Sequence, residues 1–176
     1  MSRGFIKSRV IFLVMVSTII ENVKDVIAAG TTLVDSAKTE LIWLLPPAML
    51  AFAIHYGIPK KSKMLIEKGG RVRGLTEISG TNIDVVRTFM DIGEDVRHID
   101  QYRGEFMLVA DTRESISSIP QQTVNVADVS LDNRVVAFWT DDPSYAAYLT
   151  TTFEAAWTDA VDAKERIQEL LGQGAP

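Results

Sequence analysis

The chain has 176 residues, 47% hydrophobic and 23% charged, which suits one globular domain with a full core and excludes a disordered chain. A net charge of −5 argues against direct nucleic-acid binding by this domain, since such a surface is normally basic. Cysteine is absent, so disulfides, thiolate nucleophiles and cysteine-ligated metals are all excluded.

Three cations, Arg3, Lys7 and Arg9, precede the apolar stretch Val10–Ile20, a superficial likeness to a secretory signal. Charged residues follow at once, no small-residue cleavage site lies near, and the run falls short of the roughly 20 residues that span a bilayer. It reads as an edge strand running into a helix, and the chain is assigned to the cytoplasm with no membrane contact. Over Thr18–Lys38, Ile20, Val23, Ile27, Gly30, Val34 and Ala37 recur in steps of three and four, predicting a helix. Glu40–Leu45, stopped by Pro46 and Pro47, predicts a buried strand. A helical region broken at Gly57–Pro59 resumes through Lys60–Lys68 and ends at Gly69 and Gly70. A strand over Arg71–Ile78 follows, then a helix capped by Thr81 or Asn82 and stopped by Gly93.

Beyond Gly93 the rhythm changes. Val96–Ile99, Glu105–Ala110, Glu114–Ile119 and Arg134–Trp139 all predict strands. Asp142 and Pro143 open a long final helix whose apolar face runs from Leu149 through Ala160 and Ile167 to Leu171. Strands alternating with helices and then following one another predict an α/β fold: a mixed sheet with helices on both faces and a long C-terminal helix.

Chemistry is sparse. His55 and His98 lie far apart without metal-ligand spacing, so no metal and no cofactor is expected. Gly69-Gly70 ends a helix, whereas a phosphate-binding loop opens one. Ser115, Ser117 and Ser118 lie in a strand without a nearby base. Asp141 and Asp142 suit a helix cap better than acid–base catalysis. Arg97, His98, Tyr102 and Arg103, with Arg113 further on, interleave basic and aromatic character, as a cationic pocket for an anion would. The alternative is a set of surface arginines paired with Glu94, Asp95, Asp100 and Glu105.

Five segments taken in order resemble the phospholipase D-like superfamily, most of all its non-catalytic sensor domains in archaeal transcription regulators and signalling histidine kinases. They are AKTELIWLLPP (37–47), LIEKGGRVRGLTEI (65–78), GEDVRHID (93–100), EFMLVAD (105–111) and VVAFWTDDPSYAAYLTTTFEAAW (135–157). The likeness covers Thr18–Thr158, leaving 1–17 as an arm and 159–176 as a connector helix and tail. Active members carry His-x-Lys, four further residues and Asp, the His attacking a phosphodiester and the Lys steadying its oxygens. Aligning Asp111 with the motif's Asp puts Gly104 at the His position and Phe106 at the Lys position, and no other His-x-Lys occurs. Asp111 itself is expected to serve the turn before the next strand.

The resemblance implies a non-catalytic ligand-sensing domain, working as a homodimer through its C-terminal helix, with a kinase or DNA-binding module fused or as partner. Its small anionic ligand is expected at Arg71, Arg73, Arg97, His98, Tyr102 and Arg103, around the C-terminal strand ends. The alternatives are a divergent phosphodiesterase using His98, or a purely structural dimerisation module.

Overall fold

The computed structural model describes residues 15–100, 105–118 and 136–172. Along these run β1 (Ser17–Ile20), α1 (Val23–Ser36), β2 (Glu40–Leu44), α2 (Pro47–His55), α3 (Ile58–Glu67), β3 (Arg71–Thr76) and α4 (Ile83–Asp91). There follow β4 (Asp95–His98), β5 (Met107–Ala110), β6 (Glu114–Ser118), β7 (Ala137–Thr140), α5 (Pro143–Asp159), β8 (Val161–Asp162) and α6 (Ala163–Gly172). The strands form one sheet in the order β1-β7-β6-β5-β2-β3-β4-β8, in which β2, β3 and β4 are parallel and every other pairing is antiparallel.

Two layers of side chains enclose the sheet. On one face Val26, Leu33, Trp43, Leu65, Val86 and Ile167 join helices α1 to α4 and α6 in the main core. On the other face α5 lays Ala146, Leu149, Phe153 and Trp157 over Ile42, Leu75, Met107 and Val109. Residues therefore alternate in destination along each central strand, which is why β2 reads as a continuous apolar run. No helix among the described residues is long and apolar enough to cross a membrane.

Two boundaries differ from the sequence reading. The first helix starts at Val23 rather than Thr18, because Thr18, Ile19 and Ile20 pair with β7 as an edge strand. Their β-branched side chains favour that conformation, and Asn22 caps the helix by accepting from the Asp25 N–H at 2.8 Å. The final helix is also two helices. Extended backbone at Ala160 (ψ 142°) ends α5, and Val161–Asp162 pairs with β4 at the sheet edge. Asp162 then accepts from the Lys164 N–H at 2.8 Å and starts α6. The chain thus passes around the sheet edge, and α6 packs Ala163 and Ile167 into the main core instead of projecting as a free connector.

Candidate functional site

Tyr102, Arg103 and Gly104 lie outside the described residues. The four remaining residues of the expected pocket do not converge among the described residues. Strand alternation sends Arg71, Arg73 and Arg97 toward the α5 face and His98 to the opposite one. Arg71 opens β3, far from the C-terminal strand ends, and pairs with Asp95 on the surface at 3.2 Å.

Arg73 is 5% exposed and fully engaged. Its Nε donates to Glu40 at 2.9 Å, and both terminal nitrogens grip Glu154 on α5, one of them at 2.5 Å. Its guanidinium also lies 5.2 Å from the Phe153 ring centre and 5.3 Å from that of Trp157. The Glu154 hydrogen bonds raise the Arg73 pKa, burial opposes them, and Glu40 adds to the rise. The same hydrogen bonds lower the pKa of Glu154. Arg97 stacks on the other part of this arrangement, 4.3 Å from the Trp157 ring, and donates to the Trp157 carbonyl at 3.0 Å. Together the two arginines fasten α5 to the sheet. The charge of Arg73 is met by Glu40 and Glu154, whereas the Arg97 Nε is buried without a hydrogen-bond partner.

His98 is 4% exposed. Its Nδ1 accepts from the Ile78 N–H at 2.9 Å, so the ring proton sits on Nε2 and faces Asp100 at 3.0 Å. Both ring nitrogens are committed.

Phe106, which the sequence reading aligned with the phospholipase D motif's lysine, is 4% exposed in the main core. It lines a small apolar cavity of about 60 Å³ with Leu45, Met49 and Phe52. An ammonium there would meet a mostly hydrocarbon wall, with Thr31 as its one hydroxyl side chain and no carboxylate to pair. Asp111 keeps a structural duty. It and Thr112 both have φ of +53° in the β5–β6 turn, and its carboxylate accepts from Lys38 N–H, Thr39 N–H, the Thr39 hydroxyl and Glu40 N–H at 2.7–2.9 Å. Burial would raise its pKa, but the hydrogen bonds from Glu40, Thr39 and Lys38 together outweigh that and lower it.

Two features were not read from the sequence. Glu94, which the alternative to a cationic pocket made a surface partner of an arginine, is 5% exposed and accepts from Trp43 Nε1 at 2.8 Å. Desolvation pushes its pKa up to about 7. The second is a cleft of about 880 Å³ at the rim where β2 and β3 begin, lined among others by Lys38, Lys61, Lys68, Arg113, Met15 and Met64. The available signal was that Lys38 and Lys68 each closely precede a parallel strand, which places them at one rim.

No family model and no curated protein matches the chain. Solved structures do. TrmBL2, an archaeal chromatin protein described with a novel mode of DNA binding, superposes with a TM-score of 0.64 at 12% identity, over 83% of this chain and 54% of that one. The chain thus spans about half the length of that protein. Nuc, a phospholipase D family member from Salmonella typhimurium, gives 0.63 at 12% identity over 84% of this chain and 97% of its own. NucT from Helicobacter pylori gives 0.64 at 12% identity, over 84% and 99%. The mixed eight-stranded sheet with helices on both faces is a phospholipase D-like fold.

Proposed function

We propose that this chain is a non-catalytic regulatory domain that binds a small ligand on a phospholipase D-like frame. The observation that carries the reading is Phe106, an apolar side chain buried in the core at the motif's lysine position. With Gly104 at the histidine position, the chain offers neither nucleophile nor charge where the superfamily's phosphodiester chemistry needs both. His98 does not substitute, being buried and tied at both nitrogens.

Output runs through α5 and α6. A ligand acts only by preferring one of two arrangements, and the Arg73–Glu154 clamp with its stacked Trp157 is the contact that fixes α5 against the sheet. The domain works as an isologous dimer. The likeness to part of a DNA-binding chromatin protein supports a DNA-binding module acting with this domain, in the same chain or as a partner. The net charge of −5 counts against DNA contact by the domain itself.

A thermal-unfolding screen of nucleotides, sugars and sugar phosphates tests the reading. At least one class is expected to raise Tm by several degrees without being consumed. A flat response across the panel, or turnover of a phosphoester, overturns it.

A further inference from the structure

The cleft at the β2–β3 starting rim lies at the opposite end of the sheet from Phe106. Its walls carry four cations and four carboxylates, and the two sets are unequally committed. Asp35 is ion-paired to Lys61. The Asp111 carboxylate accepts the four hydrogen bonds described above. Glu114 accepts from the Ser36 hydroxyl at 3.0 Å and from Trp139 Nε1 at 2.8 Å, and Asp141 accepts from the Val16 N–H at 2.6 Å. Lys38, Lys68 and Arg113 form no ion pair among the described residues.

These three cations come from three separate places: the loop after α1, the end of α3 and the β5–β6 hairpin. Helices α1 and α3 both end at this rim, and their terminal carbonyls favour cations nearby. That accounts for Lys38 and Lys68 in part, but not for Arg113 on the hairpin, nor for the open volume. Apart from Ser36 the remaining wall is apolar, with Met15 and Met64 exposed by 54% and 48%. The volume falls within the roughly 300–1,000 Å³ of small-molecule sites.

We infer that this cleft binds a small molecule bearing phosphate beside an apolar or aromatic body, such as a nucleoside phosphate. Three cations converging from different elements suit a multiply charged phosphate better than a single carboxylate, and the arginine supplies a planar fork for its oxygens. The methionines offer an adaptable apolar contact for the attached body. The inference deepens the regulatory reading and rests on it for its meaning, since a phosphoester bound and cleaved there would make the chain an enzyme.

The test uses methyl-¹³C methionine in the whole chain, which contains six methionines. Pyrophosphate, AMP and adenosine are titrated separately. Pyrophosphate and AMP should shift the Met15 and Met64 methyl signals in a saturable way, AMP more strongly, while adenosine at equal concentration should not. The Lys38→Ala, Arg113→Ala double variant should bind at least about tenfold more weakly. Arg87→Ala on α4 should bind as the parent does, with thermal unfolding confirming that both variants fold. No saturable shift up to about 10 mM, a range that covers even millimolar affinity, overturns the inference. Shifts at Met49 or Met107 alone also overturn it, while leaving the regulatory reading intact. Release of orthophosphate in ³¹P spectra of the same samples sinks the regulatory reading and leaves the cleft standing.

Discussion

Glu94 sets the pH dependence that a single residue can impose on this fold. Burial raises its carboxyl from the ordinary 4.5 to about 7, so between those values the folded chain holds a proton that the unfolded chain releases. Stability therefore falls as pH rises through that window, by about 3 kcal/mol in all, and is level above it. Glu94→Gln keeps an acceptor for Trp43 and should remove this slope, as urea unfolding at pH 5 and pH 8 would reveal. Asp111 acts with the opposite sign. Its pKa is lowered, so its contribution is present above the ordinary aspartate value and is lost as pH falls through the lowered one. Asp111→Ala strips the acceptor from three backbone N–H groups and a hydroxyl, and should cost about 3 kcal/mol in denaturant unfolding. Asp111→Asn tolerates the positive φ and should cost less, about 2 kcal/mol.

At the scale of elements, α5 hangs on Arg73. Glu154→Ala leaves Arg73 paired with Glu40 alone and should cost about 1–2 kcal/mol, the partial exposure of Glu154 limiting the loss. Amide exchange should quicken across α5 while the protection of α1 stays unchanged. Gly74 controls how β3 meets β2: a Cβ there would lie 1.9 Å from the Trp43 ring. Gly74→Ala should displace Trp43 from Glu94 and cost about 3 kcal/mol. Most elements were legible because Pro46-Pro47, Gly69-Gly70, Gly93 and Asp142-Pro143 punctuate the chain in ways that need no tertiary context. The errors fell where two local readings compete. Apolar spacing carried the first helix back across the β-branched run at Thr18–Ile20, and it carried the last one through Ala160. What decided each was a partner strand, β7 in one case and β4 in the other, which no local pattern contains.

For the whole molecule, residue types at aligned motif positions were legible in the sequence, while the partners of the arginines were not. Gly104 and Phe106 are visible in the sequence as the residues that fall at the motif's His and Lys positions when Asp111 is aligned with its Asp. The fate of the arginines is not, because only the sheet register shows that Arg73 and Arg97 turn under α5 while His98 turns away. The carboxylates that occupy Arg73 lie 33 and 81 residues from it along the chain. The most direct test of a phospholipase D-like frame without its chemistry is a phosphodiesterase assay of the purified chain. Bis(p-nitrophenyl) phosphate and single-stranded DNA serve as substrates, with His98→Ala in parallel. Both proteins are expected to release product at the buffer rate; turnover by the parent chain that His98→Ala abolishes would contradict a frame without that chemistry.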